Sequence, residues 1–148
     1  VMSLRDGLKK MSKSDPSDYS RIMLSDNEDE IVKKIKKAKT DPLPLPDNLD
    51  DAKNRPEAVN LLTIYAALND QEIKKVIAEY GGKEFSQFKN DLGELASTKL
   101  SPISVEMNKL MKDENYLDSV IIKGKERAIN VADPVLNKIY EIIGLFRG

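Results

Sequence analysis

The run Asp41-Pro42-Leu43-Pro44-Leu45-Pro46 constrains the fold of this chain more than any other feature. Prolines at alternate positions fix φ and remove backbone donors, so neither a helix nor a central strand can pass through them. Pro56 follows, after the acidic stretch Asp47-Asn48-Leu49-Asp50-Asp51. Residues 40–56 are therefore expected to form a semi-extended connector, the main boundary in the chain.

Ahead of the connector, residues 1–26 hold Gly7, Pro16 and scattered Ser and Asp with little helical periodicity. They read as a loop-rich extension with a short extended piece at Arg21-Ile22-Met23-Leu24. A short amphipathic helix should follow, capped by Ser25 or Asp26, with Glu28, Asp29 and Glu30 in the first turn, where the macrodipole favours negative charge. Its apolar stripe is Ile31, Val32, Ile35 and Ala38; Lys33, Lys34, Lys36, Lys37 and Lys39 fall on the other faces and toward its C-terminal end.

Beyond the connector the periodicity is helical throughout. Pro56 suits a first turn, and the nearly continuous apolar segment Val59 to Leu68 suits a central helix. Asp70 would cap a second helix carrying Ile73, Val76, Ile77 and Tyr80, closed by Gly81-Gly82. A third carries Phe85, Phe88, Leu92, Leu95 and Ala96, interrupted at Pro102 and continued by Ile103, Val105, Leu110 and Met111. Asp113 would cap a short helix running to Gly124, and a last helix, with a bend at Asp133-Pro134, would end near Ile143. The expected fold is all-α: a small helical bundle preceded by a loop-rich N-terminal extension. Most of Tyr65, Tyr80, Phe85, Phe88, Tyr116 and Tyr140 sit at core spacing.

Composition closes off whole classes of chemistry. With 24 basic and 25 acidic residues among 148, a uniformly basic nucleic-acid coat is excluded, and a polyanion must meet a local patch. Zero Cys and zero His exclude disulfides, thiolate nucleophiles, Ser-His-Asp machinery and the commonest metal ligands, so no metal site is expected. No apolar run approaches the roughly 20 residues that span a bilayer. No signal-type run opens the chain, so no membrane partner is expected and the cytoplasm is the expected location. Val1 ahead of Met2 reads as the start of a piece cut from a longer chain.

One cluster does not belong to a plain bundle: Lys9-Lys10-Met11-Ser12-Lys13-Ser14-Asp15-Pro16. Two compact ammonium groups three positions apart, interleaved with small hydroxyls on a flexible segment, suit the wrapping of a polyphosphate. On composition alone the same residues also describe an ordinary solvated basic tail.

The string Lys10-Met11-Ser12-Lys13-Ser14 is identical to the KMSKS signature of class I aminoacyl-tRNA synthetases. Further stretches occur in family order: Ile22 to Asp26, Ala38-Lys39-Thr40-Asp41, Asn60 to Tyr65, Phe88-Lys89 to Ile103, and Gly124-Lys125-Glu126-Arg127-Ala128 leading to Leu145. With them the chain resembles the tryptophanyl-tRNA synthetases of bacterial type, over nearly its whole length. It departs from them at Pro56-Glu57-Ala58-Val59, where such enzymes usually carry Pro-Gly-Val, and in lacking the histidine motif of the catalytic domain.

The resemblance implies a C-terminal portion of such an enzyme. Residues 1–26 would be the signature loop at the tail end of the catalytic domain, and residues 27–148 the helical anticodon-binding domain. It implies ATP as substrate, with Mg2+ in the intact enzyme and no cofactor held tightly by this portion. Lys10 and Lys13 would be catalytic, and Lys10, Met11, Ser12, Lys13 and Ser14 ATP-binding. It implies a tryptophan tRNA partner, met by Lys36, Lys37, Lys39, Asp41 and Arg55, and a homodimeric intact enzyme. Lys123, Lys125 and Arg127 form a second basic group, structural or phosphate-contacting. By itself the chain would be inactive. Two other readings compete: the matching part of a tyrosyl-tRNA synthetase, which usually appends a partly β module, and a helical protein-interaction module with an incidental basic tail.

Overall fold

The computed structural model describes residues 1–145. It divides into two compact units, one spanning Val1–Glu106 and a second starting at Met107.

The N-terminal extension is more ordered than its sequence suggests. Strands β1 (Met2–Ser3) and β2 (Asp6–Lys10) pair antiparallel, Met2 opposite Lys10 and Ser3 opposite Asp6, with a register irregularity between Met2 and Ser3. So short a hairpin is marginal by itself; its support is long-range. The Asn60 side chain accepts from Met2 N at 3.0 Å, and its Nδ2 donates to the carbonyls of Met2 at 3.0 Å and Ser3 at 3.2 Å. Leu4 is buried in the helical core, and Gly7 lies so close to Pro56 that a Cβ would fall 2.5 Å from its carbonyl carbon. No strand forms at Arg21–Leu24; a 3-10 turn (Asp18–Ser20) leads into irregular chain.

Helix α1 (Glu28–Lys36) begins one residue later than the sequence suggests. Its cap is Asn27, which accepts from Glu30 N at 2.9 Å while the Glu30 carboxylate accepts from Asn27 N at 2.9 Å. This reciprocal capping box satisfies two otherwise orphaned donors and leaves Asp26 free for another role. The connector runs irregularly except for one turn, α2 (Leu49–Ala52), capped by Asn48. Leu45 anchors it in the core, donating to Lys83 O and accepting from Gly82 N, both at 2.9 Å.

Three helices complete the core of the first unit. From α3 (Pro56–Leu68) come Ala58, Leu61, Leu62, Tyr65 and Ala66; from α4 (Ile73–Tyr80), Val76, Ile77 and Tyr80; from α5 (Phe85–Met111), Phe85, Phe88, Leu92 and Ala96. Burying each Val, Leu, Ile or Phe among them stabilises by about 1.5–3 kcal/mol. Tyr65, Tyr80 and Phe88 meet with centroids 4.9–5.5 Å apart, and the Tyr80 hydroxyl donates to that of Tyr65 at 3.1 Å. Asp70 is not the cap of α4; it sits in the preceding turn at φ 50°, and Glu72 holds the cap position. Pro102 does not break α5, although it removes one intrahelical donor.

The second unit holds α6 (Glu114–Ile143), one continuous helix where the sequence suggests two. Asp113 caps it as expected, accepting from Tyr116 N at 2.9 Å. Gly124 lowers helix propensity by about 1 kcal/mol, yet the helix passes through it and through Pro134, ending at left-handed Gly144. None of its residues is buried; Tyr116, given by its spacing to the core, is exposed. The periodicity thus predicts the architecture correctly as a small all-α bundle, and the hairpin is the one β element among the described residues.

Candidate phosphate-binding loop and basic helix face

The signature segment leaves the hairpin at Lys10 and returns through the 3-10 turn. Both ends are tied to the same strand region: Met11 N lies 3.4 Å from Val1 O, and Leu4 N donates to Ser20 O at 2.8 Å. Met11 packs against the core, which makes it an anchor for the loop. The hydroxyls of Ser12 and Ser14 lie 3.0 Å apart, and Ser14 N donates to Ser12 Oγ at 3.3 Å. Asp15 turns the chain again by accepting from Ser17 N at 2.8 Å. Lys10 and Lys13 are exposed, and among the described residues neither ammonium makes an ion pair or a hydrogen bond. Two unspent cations beside two hydroxyls, on a loop clamped at both ends, match the needs of a polyphosphate.

Behind the loop lies a network that the sequence does not reveal. Lys34 is buried, with Nζ 2.9 Å from Asp18 and 2.7 Å from Asp26. Burial works against its charge, but the two carboxylates outweigh it and hold its pKa above the usual lysine value. Asp26 also accepts from Met23 N at 2.8 Å. Arg21 Nη1 donates to the carbonyls of Asp15 at 2.9 Å and Ser17 at 3.2 Å, and its Nη2 pairs with Asp18 at 3.4 Å. Lys34 is one of five lysines within a single basic stretch, and nothing local marks it as the inward one.

The residues singled out for RNA contact fall into two groups. Lys36 and Lys37 are exposed on α1 and just beyond it, and with Lys33, Glu28, Asp29, Val32 and Ser97 they line an open cavity of about 470 Å³. Lys37 Nζ sits 4.5 Å above the Tyr19 ring, and its hydrogen bond to the hydroxyl holds the Tyr19 pKa below the usual value. Lys39 pairs with Glu57 at 2.8 Å, an interaction that raises the lysine pKa and lowers that of the carboxylate. Arg55 and Asp41 are engaged with each other. Nε and Nη2 meet the two carboxylate oxygens at 3.0 and 2.6 Å, and Nη2 also donates to Pro44 O at 2.7 Å. This half-buried fork ties the connector to the start of α3. Lys123, Lys125 and Arg127 are exposed on α6, in the second unit. Among the described residues no three Asp, Glu, His or Cys side chains converge as a metal site would require.

The first unit thus sets a lysine-hydroxyl loop on a small hairpin, with exposed lysines along α1, and this arrangement is that of one known class of protein. Residues 1–101 match the tRNA synthetases class I (W and Y), and the chain belongs to that family. It is 55% identical over 147 residues to a tryptophan--tRNA ligase of Rhizobium meliloti, covering 99% of this chain and 42% of that protein. The corresponding protein of Agrobacterium fabrum is 53% identical, with the same coverage. In structure the chain is similar to a tryptophanyl-tRNA synthetase from Mycoplasma pneumoniae, with a TM-score of 0.74 and 27% identity, over 99% of this chain and 46% of that one. The chain therefore spans about two fifths of the length of the curated relatives it matches.

Proposed function

We propose that this chain is the signature-loop and anticodon-binding portion of an enzyme that activates tryptophan with ATP and transfers it to its tRNA. The observation that carries the reading is identity of 55% with a tryptophan--tRNA ligase over 99% of the chain, signature loop included. The tryptophan ligases among the relatives favour tryptophan over tyrosine within a family that holds both.

In the first step the tryptophan carboxylate attacks the α-phosphorus of ATP. A carboxylate oxygen–phosphorus bond forms, the bond to the bridging oxygen breaks, and pyrophosphate leaves with its electron pair. Lys10 and Lys13 stabilise the charge that grows on the leaving group, and Ser12 and Ser14 donate to phosphate oxygens. ATP enters as its magnesium complex, with the ion held mainly by phosphate oxygens. Lys36, Lys37 and Lys39 contact tRNA phosphates, while Arg55 and Asp41 shape the connector beside the anticodon. The intact enzyme works as a homodimer in the cytoplasm, where its tRNA is charged. The 148 residues alone, which contain no histidine, should show no ATP–pyrophosphate exchange.

The test is fluorescence-anisotropy binding of the chain to a tryptophan tRNA transcript and to an anticodon-substituted transcript, across a salt titration. Tighter binding to the native transcript, with a salt slope equivalent to a few phosphates, is expected. Equal binding to both transcripts would refute anticodon reading by this chain.

A further inference from the structure

We propose that Arg21 is a positioning residue for the signature loop, setting the reach of Lys10 and Lys13 toward a nucleotide polyphosphate; this rests on the phosphate-binding role proposed above. Arg21 sits at the foot of the loop, where the chain leaves the 3-10 turn. Its Nη1 holds two carbonyls of the returning limb, Asp15 at 2.9 Å and Ser17 at 3.2 Å. Lys13 is two residues before the first of these, so the guanidinium fixes the limb from which the second signature lysine projects.

The guanidinium is itself held from behind. Asp18 pairs with Arg21 Nη2 at 3.4 Å and with Lys34 Nζ at 2.9 Å, and Lys34 passes the contact on to Asp26 at 2.7 Å. Lys34 belongs to α1, the helix whose exposed face carries Lys33 and Lys36. The chain Arg21–Asp18–Lys34–Asp26 therefore ties the signature loop to the helix beside it through charged contacts. Arg21 is mostly enclosed, with its side chain 16% exposed, so it does not reach out as a phosphate ligand. Its Nε is buried with no hydrogen-bond partner. Leaving a buried donor unpaired is destabilising, which weighs against a role in stability alone. The planar guanidinium keeps Nη1 on the two carbonyls while Nη2 meets Asp18, which a single ammonium on a flexible stem does poorly.

Positioning acts on affinity through the fraction of molecules whose loop is ready to bind. If loss of the fork lowers that fraction about tenfold, apparent affinity falls about tenfold. The probe is inorganic tripolyphosphate, titrated calorimetrically into the full chain, with amide exchange followed over residues 11–17. Arg21→Gln removes the fork and the charge; Arg21→Lys keeps the charge and removes the fork. Both should bind tripolyphosphate about tenfold more weakly, with faster exchange at residues 11–17 and unchanged exchange in α3 and α4. Wild-type affinity in Arg21→Lys would overturn the proposal, because charge alone would then suffice. Weaker binding with unchanged loop exchange would overturn it too, because Arg21 would then act as a direct ligand. The double variant Lys10→Ala/Lys13→Ala separates the underlying reading. If it binds tripolyphosphate as the wild type does, or if the wild type binds none, the phosphate role falls. The exchange rates of the Arg21 variants report loop ordering separately: unchanged rates refute it, and faster rates without tripolyphosphate binding leave Arg21 ordering the loop but overturn its role toward a polyphosphate.

Discussion

Substituting Asp41 by Asn removes one charge from the Arg55 fork while keeping its shape. In the native chain the carboxylate accepts from Arg55 Nε at 3.0 Å, from Nη2 at 2.6 Å and from Leu43 N at 3.0 Å. Asn keeps one acceptor, which can still serve Leu43 or Arg55 but not the full fork. A hydrogen bond to a charged group contributes about 1.5–3 kcal/mol, and removing one partner of a fully buried pair costs about 3–5 kcal/mol. Asp41 is 26% exposed against 9% for Arg55, so water recovers part of the loss on the carboxylate side only. Arg55 also keeps its bonds to the carbonyls of Leu43 and Pro44. The expected loss is therefore about 2 kcal/mol, below the buried-pair range. For a unit of this size that corresponds to a fall in Tm of roughly 10 °C.

The acid limb of the stability curve gives a second, independent readout. Burial pushes the Asp41 pKa up, but the Arg55 hydrogen bonds and the Leu43 amide outweigh it, so the net shift is downward. A carboxyl whose folded pKa lies below its unfolded value, near 3.9, contributes stability that is complete above that unfolded value. The contribution is lost as pH falls through the folded pKa. Urea unfolding from pH 6 down to pH 3 should show a gap between wild type and Asp41→Asn that closes with acid. A gap smaller than about 0.5 kcal/mol at pH 6, the range of ordinary surface substitutions, would refute the reasoning. So would a gap that stays constant to pH 3.

Three further outcomes are expected. Gly7→Ala should destabilise the first unit by about 1–3 kcal/mol in urea unfolding, because its Cβ would meet backbone atoms of Pro56 and Glu57 at 2.5 and 2.6 Å. Asn27→Ala should cost about 1 kcal/mol by the same measurement, with the loss of helical signal confined to the α1 capping box. Lys36→Gln, on the exposed face of α1, should reduce the salt slope of tRNA binding by about 0.7–0.9 per lost phosphate contact, and it should weaken native and anticodon-substituted transcripts alike.

The helical body is legible in the sequence because its signals are local. Periodicity from Val59 to Leu68 and from Phe85 to Ala96, the Gly81-Gly82 stop and the Asp113 cap each act within a few residues. Where the sequence misleads, a longer-range or stronger term wins. Asp26 reads as a cap, yet its carboxylate is drawn to Lys34, and Asn27 with Glu30 makes the better reciprocal cap. Gly124 and Pro102 read as breaks, yet each removes too little helix energy to end a helix of 27 or 30 residues. The hairpin reads as loop because its two-residue strand β1 is held by Asn60, 58 positions away from Met2.

The same division runs through the site. The five residues of the loop are contiguous, so their chemistry is visible as a string, and the structure leaves Lys10 and Lys13 with no competing partners among the described residues. The groups that support the loop are scattered over Arg21, Asp18, Asp26, Lys34 and Asn60, and each looks ordinary where it stands. Lys34 shows why. Flanked by Lys33, Lys36 and Lys37, it is indistinguishable from them by composition, yet it alone turns inward because Asp18 and Asp26 offer its charge two carboxylates in place of water. Arg55 shows the converse, a cation on the far side of the basic group whose guanidinium is occupied by Asp41 and Pro44 O of the proline-rich connector. A charge left unpaired on the surface is available to a ligand, whereas a charge satisfied inside sets where the ligand's groups will stand. Sequence lists the charges, and only the fold sorts them into those two kinds.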